Sequence, residues 1–254
     1  MNANLNQPVL VPGSVSVIIP TFNEAENLAK LLPRLQASRP LEILVADGGS
    51  SDDSQSIAEC HGARIIPDPS FIIHHSSFIL SSQRARQMNT AARAATGDFL
   101  LFLHADTTPP ENFPQIIRDT MAKTEVIAGA FRFALSGSLL AKGVIEKLVA
   151  LRCVLWHSPY GDQGLFLRRS VFEAQGGFPE WPILEDVHFV RQLKRLGRIA
   201  ITSQAALTSA RRWQQHGVLR TFLQHQMILG AYQLGVPPEQ LAKLRGRTLL
   251  SGTR

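Results

Sequence analysis

The sequence predicts an α/β fold with a mostly parallel, Rossmann-like central sheet flanked by helices. Two features predict this class. Short apolar runs alternate with segments whose apolar residues recur every three or four positions, and turn-forming or polar residues separate them. This alternation is typical of β-α-β units, in which the strands are parallel. The 254 residues, 44% hydrophobic and 18% charged, can build one such domain with a sizeable core.

The elements of the first half follow a regular order. Each predicted strand is a run rich in Val, Ile, Leu or Phe, such as VSVIIP or LEILVA, and each predicted helix has an apolar stripe, such as Leu28, Leu31 and Leu35. The predicted strands are Val15–Pro20, Leu41–Ala46, Ala63–Ile66, Phe99–Leu103 and Val126–Phe133. The predicted helices are Glu24–Leu35, Ser54–Glu59, Arg84–Ala95 and Asn112–Lys123.

The rhythm changes after Phe133. A long, nearly apolar helix is predicted over Leu139–Leu155, and a glycine-rich turn that becomes strand-like over Tyr160–Leu167. A helix over Glu185–Leu196, a short strand over Arg198–Thr202 and a helix over Thr221–Leu234 follow.

The predicted division is a flexible N-terminus over 1–14, one domain over 15–234, and a C-terminal tail over 235–254. Within the domain, we expect a regular half over 15–109, of the kind that binds nucleotides, and a more variable half over 110–234.

The charge and cysteine content limit the functional class. A net charge of +6 suits nucleic acid, a membrane surface or phosphate-bearing small molecules. The Lys and Arg residues form no single block and accompany no nucleic-acid-binding motif, so we expect no nucleic-acid partner. Cys60 and Cys153 are far apart, which favours buried thiols in a reducing, cytoplasmic compartment. We expect no signal peptide and no spanning helix, which leaves peripheral membrane contact open.

Polar residues follow three of the predicted strands. Asn23 and Glu24 follow the first strand, Asp47 the second, and His104 and Asp106 the long strand LLFL. Right-handed crossovers bring these strand ends to one edge, where open α/β sheets bind ligands. The sequence therefore predicts a pocket at this edge.

The chemistry of these residues favours a nucleotide. Asp47 sits in a glycine-rich turn, where Gly48 and Gly49 let a ligand approach and the carboxylate can accept from a base or a ribose. Asp106 is a hard oxygen ligand of the kind that Mg²⁺ or Mn²⁺ takes together with phosphate oxygens. Nearby arginines can take the remaining phosphate charge.

Several of these residues also have structural explanations. Asp52 and Asp53 can simply cap the helix that follows them. Glu24 and Asp186 each suit the positive end of a helix dipole. The predicted helix Leu139–Leu155 is more typical of a core or interface helix than of a membrane anchor.

An ordered set of motifs gives this chain a family resemblance. From about Val15 to Arg220 the segments PTFNE, LVADGGSSDDS, RARQMNTAARAATGDFLLFLHADT, GDQGLFLRR and ILEDVHF occur in that order. Together they resemble the family 2 glycosyltransferases with the GT-A nucleotide-sugar fold. The phrases RARQMN, FLHADT and SARRW resemble, more narrowly, the bacterial arsenosugar-biosynthesis or radical-SAM/selenodomain-associated glycosyltransferases.

The resemblance implies a role for each matching residue. Asp186 of the Glu185-Asp186 pair would be the general base, and Asp106, with His104 beside it, would hold the Mg²⁺ or Mn²⁺. The positions expected to bind the nucleotide are Pro20, Thr21, Asn23, Glu24, Asp47, Gly48, Arg84, Gln87, Asn89, His104, Ala105 and Asp106. Those expected to face the acceptor or a phosphate are Gly161, Asp162, Gln163, Arg211, Arg212 and Trp213. The resemblance makes 15–109 the nucleotide-binding half and 110–234 the acceptor half.

The chain also departs from the family pattern. His104 replaces the first Asp of the DxD metal motif, although His is itself a metal ligand. His188 stands where a second acid often follows the Glu-Asp pair. The apolar segment Phe71–Leu80 is not part of the pattern and suggests a lid or a membrane-facing loop.

The expected function is therefore an inverting glycosyltransferase that moves a sugar from a nucleotide diphosphate sugar, with UDP favoured over GDP, to a small-molecule or lipid-linked acceptor. Two alternatives stay open: a degenerate transferase that only binds nucleotide or a partner, and a nucleotidyltransferase, although PTFNE replaces the glycine-rich loop that the latter needs. A haloacid dehalogenase-type phosphatase is excluded on chemistry, because His104 stands where that reaction needs a nucleophilic Asp.

Overall fold

The computed structural model describes residues 13–67, 79–137, 141–156, 159–211, 214 and 217–250. Within these ranges, eight strands form a single sheet. The strands are β1 (Val15–Thr21), β2 (Glu42–Asp47), β3 (Arg64–Ile65), β4 (Phe99–Phe102), β5 (Thr107–Thr108), β6 (Val126–Ser136), β7 (Leu165–Arg168) and β8 (Arg198–Ser209).

Helices cover the sheet and extend beyond it. They are α1 (Ala25–Ala37), α2 (Ser54–Cys60), α3 (Ile79–Ala94), α4 (Phe113–Met121), α5 (Lys142–Trp156), α6 (Arg169–Ala174), α7 (Glu185–Leu193), α8 (Val218–Gln233) and α9 (Pro238–Leu250). A short 3₁₀ helix, Gly161–Gln163, precedes β7. The predicted α/β class is confirmed.

The sheet order is β3-β2-β1-β4-β7-β6-β8-β5. The four strands of the first half are mutually parallel, so β1, β2 and β4 end at one edge, as the crossover rule predicts. Strand β7 lies antiparallel between β4 and β6, and β6 pairs in parallel with β8. The second half therefore brings its own segments to the edge where β1, β2 and β4 end.

The core lies on both faces of this sheet. Successive residues of a strand point to opposite faces, so Val17 and Ile19 pack with the α1 side, whereas Ile18 packs with Ala85 of α3. Helix α7 joins the second layer through Phe189. Since α3 and α7 cover the same face, their ends reach the same edge of the sheet.

Several elements differ from the sequence prediction. Strand β8 continues to Ser209, seven residues past the predicted end, because it pairs with β6 on one side and with β5 at its end. Helix α6 and the two-residue strand β5 were not predicted, and the predicted tail contains α9, whose Leu241 is fully buried. The apolar segment 68–78 lies outside the described residues. Within the described part of the chain, every helix is too short or too polar to span a bilayer.

The tightest packing in the sheet predicts a sensitive position. A Cβ added to Gly129 of β6 would overlap the ring of Phe166 on β7 and approach the carbonyl oxygen of Ala200 to 3.2 Å. We expect Gly129→Ala to lower the free energy of unfolding by about 1–3 kcal/mol, because overpacking strains a close-packed core. Urea unfolding measures this. Gly143→Ala in α5 is the matched control: its added Cβ meets nothing within 4 Å, so stability should hold or rise.

Candidate functional site

An open cleft lies at the edge where β4 ends. Its walls come from the turn after β4, from the 3₁₀ helix, and from the first turns of α7 and the middle of α8. The lining residues are Arg84, His104, Asp106, Tyr160, Gly161, Asp162, Ile183, Leu184, Asp186, Val187, Thr208, Ser209, His225, Ile228 and Leu229. Six of the predicted site residues therefore meet in one place, from four separate stretches of sequence.

Asp106 is held on the cleft wall by the pairing of β5 with β8. The Ser209 N–H donates to the Asp106 carbonyl oxygen at 3.1 Å, and the hydroxyls of Thr107 and Thr208 lie 3.1 Å apart. These contacts fix the backbone around Asp106. Its half-buried carboxylate remains on the wall of the cleft.

Arg84 and Glu185 join the two halves of the site. Arg84 Nε donates to Glu185 Oε1 at 2.6 Å, and a second guanidinium nitrogen contacts the same oxygen. A third nitrogen of Arg84 lies 3.5 Å from His104 Nε2. The guanidinium therefore stands in the cleft between the Glu185 carboxylate and the imidazole of His104.

Glu185 is only 1% exposed, and its Oε2 is buried without a hydrogen-bond partner. Burial raises the pKa of Glu185, the Arg84 guanidinium lowers it, and the Asp186 carboxylate raises it again, so the pKa lies above its ordinary value. Desolvation lowers the pKa of Arg84, but the charges of Glu185 and Asp186 outweigh it and raise that pKa. Arg84 therefore keeps its positive charge beside these carboxylates.

Asp186 is held by two backbone groups. The Gly161 N–H donates to Asp186 Oδ2 and the Val187 N–H to Oδ1, both at 2.8 Å. Gly161 allows this approach because a Cβ there would lie 2.9 Å from His104 Nε2 and 3.2 Å from Asp186 Oδ2. The carboxylate is thus fixed in direction while it still lines the cleft, as a proton acceptor for a bound acceptor group requires.

The backbone just before Glu185 is strained. Leu184 adopts the left-handed conformation at φ 64°, which is rare for a bulky side chain. It directly precedes the first turn of α7, where Glu185 and Asp186 also suit the helix dipole. The dipole explanation and the site explanation are therefore both compatible with this geometry.

The loops after β1 and β2 form a compact network next to the cleft. Asp47 Oδ2 accepts from the N–H groups of Gly49 at 3.0 Å and Ser50 at 2.9 Å, and from Gln55 Nε2 at 2.7 Å. Asn23, at φ 53°, accepts from the Ser51 N–H at 2.8 Å. Asp47 therefore organises its own turn, and the predicted nucleoside residues form an ordered loop pair rather than part of the cleft wall.

The capping explanation of Asp52 applies to two helices at once. Its Oδ1 accepts from the Ser54 N–H and its Oδ2 from the Ala25 N–H, both at 3.0 Å. Asp52 thus ties the starts of α1 and α2 together. The neighbouring Glu24 is half-buried, and its N–H donates to Ser54 Oγ at 2.9 Å.

Gln87 and Asn89, which were predicted to bind nucleotide, are buried, and their amide groups form hydrogen bonds with the backbone. Gln87 Nε2 donates to the carbonyl oxygens of Thr21 at 2.7 Å and Ala46 at 2.8 Å, so it clamps the ends of β1 and β2. Asn89 exchanges two hydrogen bonds with the backbone of Phe178, at 2.8 Å and 2.9 Å. Their positions on α3 give both amides a structural role.

The remaining predicted residues are placed as follows. Thr21, Gly48, Ala105 and Gln163 are buried, Pro20 is half-buried, and Arg211 is exposed just beyond β8. Gln163 Nε2 donates to the Phe131 carbonyl oxygen at 3.1 Å, so its amide supports the floor of the site. Arg212 and Trp213 lie outside the described residues.

Sequence reasoning missed much of the cleft wall. The missed residues include Tyr160, Leu184, Thr208, Ser209, His225, Ile228 and Leu229. Tyr160 directly precedes the Gly161-Asp162-Gln163 motif, so that motif could have indicated it as a site residue. The α8 residues gave no signal, because apolar residues at helical spacing predict packing rather than a pocket.

The donor set suits a divalent ion that arrives with phosphate. Within the described ranges no three His, Cys, Asp or Glu side chains are grouped to hold a metal by themselves. Asp106 and His104 nevertheless line the same cleft, and Mg²⁺ commonly takes one or two carboxylates together with substrate phosphates and water. The residues therefore fit an ion shared with a diphosphate.

Comparison with known proteins matches the sequence of this chain to one family. Residues 16–174, more than half of the chain, match the model of glycosyl transferase family 2. The undecaprenyl-phosphate 4-deoxy-4-formamido-L-arabinose transferase of Klebsiella pneumoniae is 30% identical over 175 residues, which cover 63% of this chain and 50% of that protein. The transferase of the same description from Yersinia pestis is 29% identical over 182 residues, 67% of this chain and 53% of the other. The chain thus spans about half the length of these relatives.

Solved structures show the same fold. Staphylococcus aureus TarS in complex with UDP matches 77% of this chain and 60% of its own, with a TM-score of 0.59 and 19% identity. The mannosyltransferase PcManGT from Pyrobaculum calidifontis, in complex with GDP-Man and Mn²⁺, matches 94% and 72%, with a TM-score of 0.58 and 19% identity. At this level of identity the likeness establishes the GT-A architecture.

The raised pKa of Glu185 predicts a pH dependence of stability. The Glu185 carboxyl group binds its proton more tightly in the folded chain than in the unfolded chain, where a Glu side chain has a pKa of about 4.3. The stabilisation is complete below that unfolded pKa and is lost as the pH rises through the folded pKa. Between about pH 4 and neutrality, the unfolding free energy of the unmodified chain should therefore fall relative to that of Glu185→Gln, as measured by urea unfolding.

Glu180→Gln is the matched control for this experiment. Glu180 also pairs with an arginine of α3, Arg86, at 3.2 Å, but on the surface. We expect that variant to track the unmodified chain at every pH. The raised pKa of Glu185 would be contradicted if the difference in unfolding free energy between Glu185→Gln and the unmodified chain stayed constant with pH. It would also be contradicted if the unmodified chain became relatively more stable as the pH rose.

Proposed function

We propose that this chain, which belongs to glycosyl transferase family 2, transfers a sugar from a nucleotide diphosphate sugar to an acceptor with inversion at the anomeric carbon. The observation that carries the proposal is the meeting of Asp106, Arg84 and Asp186 in one cleft at the carboxyl edge of the sheet. Such a transfer needs a carboxylate near the phosphates, a cation held in place beside them, and a second carboxylate aimed at the acceptor.

The donor nucleotide would lie along the edge from the loops of β1 and β2 toward β4. The ordered turn around Asp47 and Asn23 borders the nucleoside in this proposal, and the diphosphate extends toward Asp106 and Arg84. UDP is proposed over GDP on the family resemblance, and a fold neighbour has been solved with each nucleotide type. The Arg84 guanidinium offers charged N–H donors to the diphosphate oxygens.

Asp106, with His104 beside it, would hold a divalent ion together with those oxygens. When bound, such an ion supplies neutralisation of the charge on the leaving diphosphate. The Arg84 guanidinium, 3.5 Å from His104 Nε2, would support the same charge.

Asp186 acts as the general base in this proposal. Its carboxylate takes the proton of the acceptor hydroxyl as the oxygen attacks the anomeric carbon, and the bond from that carbon to the diphosphate breaks. The N–H groups of Gly161 and Val187 keep the carboxylate aimed during this step. Glu185 contributes by positioning Arg84 rather than by contacting substrate.

The acceptor is proposed to be a small molecule or a lipid-linked group. The narrower sequence resemblance favours a small acceptor of the arsenosugar type. The Klebsiella pneumoniae relative, an undecaprenyl-phosphate 4-deoxy-4-formamido-L-arabinose transferase, favours a lipid phosphate. The two cysteines, neither in a disulfide, favour work in the cytoplasm or at the inner face of the membrane.

A degenerate, nucleotide-binding protein is the second candidate. The observation that favours it is the contact between Arg84 and His104, which puts a cation where the family usually has a metal-binding carboxylate. Turnover by the purified chain separates the two functions.

The metal hypothesis predicts the behaviour of Asp106→Ala. In calorimetric titration, UDP should bind more tightly with Mn²⁺ than without it, and Asp106→Ala should reduce the metal-dependent affinity by at least about tenfold. The substitution removes the one carboxylate after β4 that can share the ion with phosphate. Asp119→Ala, on the outer surface of α4, is the control and should bind as the unmodified chain does. Equal UDP affinity with and without metal would assign the phosphates to Arg84 alone.

The base hypothesis predicts the behaviour of Asp186→Asn. Turnover with a hydroxyl acceptor should fall about 10²–10⁴-fold, since the amide cannot take a proton, while UDP affinity stays unchanged. Initial rates and calorimetry on the same preparation measure both quantities. A variant that keeps its turnover would rule out the base role and favour a phosphate acceptor, which is largely ionised at neutral pH without a base.

A further inference from the structure

Helix α8 exposes apolar side chains on the side that faces away from the cleft. Leu223 and Met227, one helical turn apart, are 56% and 52% exposed. Leu234, just beyond the helix, continues the same stripe. The opposite side carries His225 and Ile228, which line the cleft. The helix is therefore apolar both where it packs and where it meets solvent.

Helix α5 has the same two-sided character. Ile145 and Cys153 are buried against the sheet, whereas Val144, Leu148 and Leu151 form an exposed stripe at helical spacing. A surface helix of a soluble domain usually shows charged or polar residues on its outer face. Two helices with exposed apolar stripes therefore indicate a surface that something covers.

The charge of these helices indicates what covers it. Helices α5, α8 and α9 together contain seven Lys and Arg residues and two Glu residues, a net charge of +5 out of +6 for the whole chain. The rest of the chain is close to neutral. Apolar stripes accompanied by an excess of basic residues complement a lipid surface with anionic headgroups, where the apolar side chains enter the interface and each cation adds attraction.

We propose that the exposed stripes of α5 (Val144, Leu148 and Leu151) and of α8 (Leu223 and Met227) both bind the surface of an anionic membrane. The proposal stands apart from the enzymatic function, because it uses none of the residues assigned to the reaction. It also places the cleft close to the membrane, since α8 forms the wall between them and a helix with its side chains is about 10 Å thick. An acceptor held in the membrane surface would then lie near Asp186.

Vesicle co-sedimentation tests this surface. The full chain is mixed with vesicles of phosphatidylcholine alone and of phosphatidylcholine with phosphatidylglycerol. We expect binding to the anionic vesicles only, weakened by added salt. The double variant Leu223→Glu/Met227→Glu should lose at least roughly tenfold in partitioning. Lys147→Glu, an exposed charge on α5, should weaken binding to anionic vesicles without removing apolar surface.

Leu196→Glu is the matched control. Leu196 is 50% exposed, like Leu223 and Met227, but lies before β8, at the far end of that strand from the cleft. It should bind vesicles as the unmodified chain does. Lack of binding to anionic vesicles, or an equal loss in Leu196→Glu, would overturn the proposal. A third result would also overturn it: the unmodified chain binds no vesicles and is a dimer by light scattering, and the double variant is a monomer. A second copy of the chain would then cover the apolar stripes.

Two further measurements keep the outcome interpretable. Thermal unfolding confirms that each variant is folded, which the exposed positions favour. UDP titration separates the two proposals. If the double variant binds UDP but no longer binds vesicles, the membrane surface is supported. If the unmodified chain binds vesicles but no nucleotide, the membrane surface is still supported and the proposed donor is contradicted.

Discussion

The cleft depends on the ion pair between Arg84 and Glu185, because it connects the two halves of the chain at the point where they meet. Arg84 belongs to α3, which packs on the parallel strands, and Glu185 to the first turn of α7, 101 residues later. Glu185 is almost fully buried, so leaving it without its cation would strand a charge in the interior. The pair therefore holds α7, and Asp186 with it, in register with the edge of the sheet. The pair also holds the partly exposed Arg84 guanidinium beside His104.

The same edge explains why a polar site is compatible with a close-packed domain. The buried strands need few polar groups of their own, and those that exist at the strand ends are satisfied locally: Gln87 clamps the carbonyl groups of Thr21 and Ala46, and Asp47 binds its own turn. The remaining polar groups, on Asp106, Asp186 and Arg84, face the cleft. A rigid floor thus carries a small number of directed charges, the arrangement that favours precise placement of a ligand.

Much of the fold could be predicted from the sequence, because the strands of the first half are continuous apolar runs and the helices between them have clear stripes. The prediction weakened where tertiary contacts decide. The second part of β8 is polar and mixed in exposure, so its pairing with β6 and β5 leaves no clean periodicity. Asp106 and Asp186 could be found because each follows a recognisable motif. Gln87 and Asn89 share α3 with Arg84, and sequence spacing alone does not tell an amide that binds backbone from one that binds ligand. The α8 wall of the cleft could not be predicted, since its apolar residues look like any packing face.

The long separation between the partners of the Arg84–Glu185 pair has a consequence for how the protein is made. During synthesis the chain emerges from its N-terminus at about 5–20 residues per second. Glu185, 101 positions after Arg84, therefore appears roughly 5–20 s later. For that time the parallel strands and α3 exist without α7, and Arg84 has no carboxylate from Glu185. The growing chain thus carries a sheet edge without this ion pair until its second half arrives, so the closing of the cleft by α7 is a late step in the making of the protein.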